Sequence, residues 1–383
     1  MKVAFVKGSS GTPWEAGILE AINKTGVQAK FFVSKKSPAV SQELQIEGVN
    51  IRGIDVLNRI VNRTIAARGF EFLSGIRLTD YSSYYFRGIS SLKDFDVLHL
   101  VDESFTVCNQ AMRSGVPSVM TIWENIPFSP MWEMKRPARN LRESVFSRVS
   151  MFLPVSEVSK KLLSYYGVED ERIQVVHPGI DTEEFSPAPE SDRDADSSLK
   201  ILGISRVEYF KGISFTLRAL ADLSRTTKDF TYTHIGTGNQ RFLRYLKHLA
   251  EKLGIERNVK FSGAVSYHDI PGIIRSSNLL VMPSIPSLEW EEQMGFALLE
   301  AMSSEVPVIA SDHPSIREVV PESCGILVPA GNDESLSKAF LQASLDREKM
   351  KSMGKKGREH VIRNYNCRDT AERYVEVYAK VVQ

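Results

Sequence analysis

Cysteine is scarce in this chain. Cys108, Cys324 and Cys367 are the three cysteines of 383 residues, an odd, scattered set without metal-ligand spacing, which excludes a disulfide framework and points to a reducing compartment. No run approaches the ~20 apolar residues of a membrane span. The opening Met1-Lys-Val-Ala-Phe-Val6 is too short an apolar stretch for a signal peptide and reads as a first strand, so a cytoplasmic location is expected. An excess of one charge is missing as well: the formal net charge is +1, which gives no global field for nucleic acid, and none is expected as a partner. Repeats of solenoid period and low-complexity tracts are absent. No Asp-x-Asp follows the carboxyl end of an expected strand. Asp192-Arg-Asp194 and Asp194-Ala-Asp196 have that spacing, but they fall in the polar, proline-punctuated stretch 186–198, which reads as a linker or exposed loop.

What is present is a soluble globular composition, 42% hydrophobic and 25% charged, in a chain too long for one ordinary core and suited to two domains. Charge is split between the halves: residues 1–180 hold 22 Lys and Arg against 18 Asp and Glu, and residues 181–383 hold 26 against 29. The first strand, Lys2–Lys7, runs into Gly8-Ser-Ser-Gly11 and then into helical periodicity through Trp14, Ile18, Leu19 and Ile22. Strand, glycine loop and helix is how a doubly wound sheet opens. Further strands are expected at 29–33, 97–101, 118–122 and 151–155. A second series follows at 200–205, 231–235, 259–262, 279–282 and 306–310. This alternation predicts an α/β protein of two Rossmann-like halves, residues 1–180 and 181–364. Segment 52–90, rich in Arg, Tyr and Gly, reads as a helix plus a loop. Residues 365–383 carry apolar positions at helical spacing and would either cap their own domain or cross back to the first.

The most informative stretch is Glu292-Gln-Met-Gly-Phe-Ala-Leu-Leu-Glu300, leading into Ala301-Met302 and Pro307-Val-Ile-Ala-Ser311. Eight residues of helix rise roughly 12 Å, so the two acids can reach two ends of an elongated polar ligand. A helix beginning at Gly295 would aim free N–H groups at such a ligand. The alternative is an amphipathic helix with Phe296, Leu298, Leu299 and Met302 in the core and both glutamates solvated. Arg206 and Lys211 lie in Gly203-Ile-Ser-Arg-Val-Glu-Tyr-Phe-Lys-Gly212, just past an expected strand. There a guanidinium fork and an ammonium can converge on one diphosphate, or can simply be surface charges.

These residues, with Gly236-Thr-Gly238, Val259-Lys-Phe-Ser-Gly-Ala-Val265, Pro283-Ser284 and the interdomain Val176-His-Pro-Gly-Ile-Asp181 followed by Phe185 and Pro187, resemble in order the motifs of retaining glycosyltransferases of the GT-B fold, family 4. The resemblance covers roughly residues 150–310 well and the flanks more loosely. It implies two Rossmann-like domains facing each other across a cleft, with the terminal helix returning to the first. It also implies transfer of a hexose from a nucleoside-diphosphate sugar to the hydroxyl of a sugar, glycolipid or small-molecule acceptor, without a metal or other cofactor. On this basis Arg206 and Lys211 are expected on the diphosphate, Glu292 on the sugar hydroxyls and Glu300 on the ribose. Gly295, Phe296, Gly236, Val265 and Gly11 would complete the donor site, and segment 52–90 would face the acceptor. Asp181 is read as a turn residue.

The chain departs from the family where many relatives carry Thr-x-His-Asp or Thr-x-His-Glu. Here the stretch is Met120-Thr-Ile-Trp-Glu-Asn125, so Trp123 replaces the histidine and Glu124 keeps the acid. Trp123 is then an acceptor-side wall or a core aromatic, and Glu124 the acceptor-activating carboxylate or a structural acid. His99 matches another family position on the acceptor side, or is a satisfied core histidine. The basic stretch 134–148 could make peripheral contact with the inner membrane face or be solvated. An epimerase or phosphorylase on the same frame, and a catalytically silent nucleotide-sugar binding subunit, are the alternative functions. Ser266-Tyr-His268, with no carboxylate for guanine, tilts the expected donor toward uridine or adenosine.

Overall fold

A computed structural model describes residues 1–7, 12–33, 89–101, 105–127, 136–189, 198–287 and 290–383. Within it the chain forms two compact units, Met1–Gly179 with Cys367–Gln383, and Ile180–Asn366. Gly11, part of the polar stretch 186–198 and nearly all of segment 52–90 lie outside the described residues.

The first unit is a five-stranded parallel sheet. Its strands are β1 (Lys2–Lys7), β2 (Gln28–Val33), β3 (Val97–Leu100), β4 (Ser118–Ile122) and β5 (Met151–Pro154), in the order β2-β1-β3-β4-β5. Parallel sheets are covered by helices on both faces, and accordingly all of β3 and β4 is buried. Helix Pro13–Lys24 follows the glycine loop with proline in its first turn, where a missing N–H costs nothing. Glu15 fixes that entry. Its Oε2 accepts from the Thr12 N–H (2.6 Å) and hydroxyl (2.8 Å), and its Oε1 from Lys7 Nζ (2.5 Å).

The terminal helix, Cys367–Val382, belongs to this first unit. Ala371, Tyr374, Val377 and Tyr378 share one core with Val3, Phe5, Ile18 and Ile22. Helix Arg136–Phe146, within the basic stretch, turns Val145 and Phe146 into the unit's other core, with Leu141 packed against it. Arg142 is also buried, its guanidinium 4.3 Å from the Tyr166 ring centre. The apolar side chains Leu141, Val145 and Phe146 of this helix thus pack on protein. No helix among the described residues is long and apolar enough to cross a membrane.

The second unit is a six-stranded parallel sheet made of β6 (Leu199–Ile204), β7 (Phe230–Ile235), β8 (Val259–Gly263), β9 (Leu279–Met282), β10 (Val308–Asp312) and β11 (Gly325–Pro329). The order is β11-β10-β9-β6-β7-β8. Two differences from the expected strands have local causes. The strand expected at 306–310 begins later because the Val306 N–H bonds back to the Ala301 carbonyl at 2.9 Å, closing the preceding helix. β11 was not expected. It is short, ends on a proline and pairs only with β10, the edge position at which proline is tolerated.

Chain order reverses between β6 and β9, which lie side by side. In open α/β sheets the crevice at the carboxyl ends of such a pair is where ligands bind.

Candidate functional site

The loops leaving β6 and β9 meet at that reversal. Lys211, 81 positions before Glu292 in the chain, donates to its Oε2 at 2.6 Å, and Ser284, just past β9, donates to the same oxygen at 2.9 Å. Both members of the ion pair are mostly buried, with side chains 10% and 13% exposed. Aromatic rings hold the cation in place: Lys211 Nζ lies 4.5 Å from the Trp290 ring centre, and Trp290 packs on Phe210 with centres 4.3 Å apart. Arg206, exposed, lies 5.7 Å from the same Phe210 ring. The expected diphosphate and sugar residues therefore converge, but Lys211 is joined to Glu292 rather than standing open beside Arg206.

Glu292 itself precedes the helix, which spans Phe296–Ser303, so the two glutamates are not on one helical rod. Gly295 supplies the helix N-cap in a left-handed conformation (φ +64°), and a Cβ there would stand 2.5 Å from Met282. The left-handed backbone is what requires glycine here, since the terminal methyl of Met282 can move aside. Phe296, the first helical residue, is half-buried. The Glu292 carbonyl accepts from Ser315 Oγ at 2.5 Å. Ser315 has one hydroxyl hydrogen, so its 3.0 Å contact with His313 Nδ1 requires that nitrogen to be the donor. Burial holds His313 below its ordinary pKa, partly countered by Glu292 and Asp312.

Glu300 lies on the same helix and is 6% exposed. Its Oε1 accepts from the Tyr267 hydroxyl at 2.9 Å. Burial raises its carboxyl to about 7, against the lowering effect of the Tyr267 hydrogen bond.

Gly236 is required by the backbone. Its φ is +133°, and a Cβ would lie 2.0 Å from the Ser205 carbonyl, because the turn after β7 is bonded edge to edge with the loop after β6 through Val207. It positions the Arg206 loop. Val265 is half-buried, two residues past β8 and two before Tyr267. Asp181 Oδ1 accepts from the Glu183 and Glu184 N–H groups, which makes it a turn residue.

In the first unit His99 is buried, with Nδ1 2.6 Å from the Tyr378 hydroxyl and Nε2 2.7 Å from Thr121 Oγ1. Burial lowers its pKa to about 3. It is a satisfied core histidine, the alternative left open by the sequence. Trp123 donates from Nε1 to the Val101 carbonyl (2.9 Å) and stands edge-on to Trp14 at 4.9 Å. It walls a small cavity with Glu15, Thr121 and Tyr374. Glu124, next along the chain, is half-buried, and burial raises its pKa. Among the described residues no group of three or more His, Cys, Asp or Glu is placed to hold a metal ion.

Ser284, Trp290, Tyr267, His313 and Ser315 were not among the expected site residues. Pro283-Ser284 was visible as a motif. The others belong to no motif, and Tyr267, Trp290 and Ser315 meet partners far away in the chain.

Two family models match side by side: Glycosyltransferase Family 4 over residues 18–184 and Glycosyl transferases group 1 over residues 188–360. Among curated relatives, the D-inositol 3-phosphate glycosyltransferase of Corynebacterium urealyticum is 30% identical over 56% of this chain and 52% of its own length. The amylovoran biosynthesis glycosyltransferase AmsK of Erwinia amylovora is 29% identical over 52% of this chain and 49% of its own. The chain spans about half the length of these relatives. Solved structures match in fold over nearly the whole chain. HepE of Anabaena, in complex with UDP and glucose, has a TM-score of 0.76 at 19% identity, covering 99% of both chains. Sucrose-phosphate synthase of Thermosynechococcus elongatus has a TM-score of 0.74 at 17% identity, covering 99% of this chain and 98% of its own.

Proposed function

The chain belongs to glycosyltransferase family 4, of the GT-B fold, and from that membership we propose that it moves a hexose from a nucleoside-diphosphate sugar to an acceptor hydroxyl with retention at the anomeric carbon. The observation that carries this reading is the Lys211–Glu292 pair at the β6/β9 reversal. An ion pair sequestered from water gains little stability over apolar residues of the same size, so its placement at the ligand-binding end of the sheet is better explained by use than by folding. The same two residues serve both halves of a donor: the ammonium suits a diphosphate and the carboxylate suits sugar hydroxyls. Donor binding exchanges their mutual contact for one with each half.

Catalysis in this reading is electrostatic. Arg206, Lys211 and the helix N-terminus at Gly295 stabilise the negative charge that collects on the departing diphosphate, and no metal is assigned a part. Glu300 holds the ribose. Glu124, its proton affinity raised by burial, receives the acceptor proton, and Trp123 offers a flat wall to the acceptor. The structures of HepE with UDP and with UDP-glucose support a uridine nucleotide as the first donor to try.

The test is a thermal-shift screen over UDP, GDP and ADP and their hexose conjugates, since preferential binding to the folded state raises its melting temperature. The stabilising conjugate is then followed by NMR with sugar, glycolipid and small-molecule acceptors in the presence of EDTA. An axial product linkage formed from an axial donor is expected. Inverted product, or turnover that returns only with Mn²⁺ or Mg²⁺, would overturn the mechanism.

A further inference from the structure

Tyr267 occupies the short turn Tyr267–Asp269 after β8, and its hydroxyl reaches Glu300 from across the unit, 33 positions away. The contact closes a ring of fixed parts. The Tyr267 ring packs against the fully buried Phe185, centres 5.9 Å apart. The Phe185 carbonyl accepts from Ser303 Oγ at 2.6 Å, and Ser303 lies three residues beyond Glu300 on the same helix. Arg358 ties the ring together by donating to the carbonyls of Thr182, Phe185 and Ser303. Neither the tyrosine nor the glutamate can swing without breaking a buried contact.

The chemistry of the contact is one-directional. Burial, with the carboxylates of Glu300, Glu184 and Asp181, pushes the Tyr267 phenol up, so it remains an O–H donor at any working pH. It engages Glu300 Oε1, and among the described residues no other side chain donates to Oε2. A carboxylate pinned by one oxygen in a buried setting presents the other in a fixed direction. That is what separates recognition of a hydroxyl from a diffuse negative charge, because a site built around a hydroxyl discriminates strongly against its absence.

We propose that Tyr267 is the positioning residue of the nucleoside subsite: by holding one oxygen of Glu300 it aims the other at a ribose hydroxyl, and so sets the preference for a ribonucleoside over a 2′-deoxyribonucleoside diphosphate. This rests on the assignment of Glu300 to the ribose. No such role for Tyr267 follows from the sequence motifs.

The experiment measures, by calorimetry, the Kd of UDP and of 2′-deoxy-UDP on the parent protein and on Tyr267→Phe, repeated with the GDP and ADP pairs. The parent is expected to prefer the ribonucleotide by roughly tenfold, the worth of a hydrogen bond to a charged group. Tyr267→Phe keeps the ring that packs on Phe185 and should erase most of that ratio by weakening UDP while leaving 2′-deoxy-UDP nearly unchanged. A merely structural role would weaken both nucleotides in parallel, and that result, or an unaltered ratio, overturns the inference. If the parent itself shows no preference for the 2′-hydroxyl, the inference about Tyr267 falls, whether or not Glu300 meets the 3′-hydroxyl. A parent that binds none of the six nucleotides removes the nucleotide-sugar reading altogether.

Discussion

His99 on β3 and Lys211 just past β6 look alike in sequence: each is a titratable residue at or near the end of an apolar strand in a doubly wound half. Their surroundings are opposite. His99 is bonded on both nitrogens to hydroxyls of its own unit, one from β4 and one from the terminal helix, and burial lowers its pKa to about 3. Lys211 is bonded to Glu292, a charged group that itself suits a ligand hydroxyl, at the reversal of strand order. The first polar group is satisfied by groups that must stay where they are. In the proposed reading, the second is satisfied by a partner that it exchanges for the donor. Position at a strand end therefore says less about function than the identity and mobility of the partner.

Lys211→Ala tests the exchange and carries the largest expected effect: kcat should fall by about 2.7–4 kcal/mol of transition-state stabilisation. Stability should fall too, because Glu292 is left buried without its cation. Adding Glu292→Gln should recover the melting temperature and not the turnover. Unchanged kcat in Lys211→Ala would remove this residue from the chemistry and make the pair structural, like His99.

Glu300→Gln sharpens the comparison through pH. The folded carboxyl titrates at about 7, above its unfolded value of 4.5, so between those values the folded state holds a proton that the unfolded chain has released. Stability therefore falls as pH rises through this window, and the cost is fully present above about 7. The glutamine variant escapes it and should be more stable than the parent by about 3 kcal/mol at pH 8, the margin shrinking toward pH 5. A margin independent of pH would show that Glu300 is not the buried acid described here.

Tyr378→Phe probes the other side. It leaves His99 Nδ1 buried without its partner, which costs about 1–3 kcal/mol. Thermal unfolding should show that loss, while kcat and KM of the folded variant should remain those of the parent. A drop in kcat at unchanged stability would return His99 to the acceptor side.

Much of the fold was legible because each half repeats a local pattern. Apolar runs such as Leu279–Met282, buried on both faces, announce parallel strands without reference to anything distant. β11 escaped because Gly325 and Pro329 bound it and leave only three apolar residues, Ile326 to Val328, too short a run to announce a strand. In the site, Lys211, Glu292 and Glu300 stood out by motif, whereas Tyr267 and Ser315 did not: the partner of the first is 33 positions away and that of the second 23. Gly236 was legible as a turn glycine, but the Ser205 carbonyl that demands it was not.

The sequence by itself determined two α/β halves, all their strands but β11, and which charged residues follow β6 and β9. Hydrophobic period and turn chemistry are properties of neighbouring residues. Only the tertiary structure decided that Lys211 is paired with Glu292, that His99 belongs to the core, that the terminal helix packs in the first unit and that Tyr267 holds Glu300. Each of those depends on which groups burial brings within about 3 Å of one another, and no local stretch of chain carries that information.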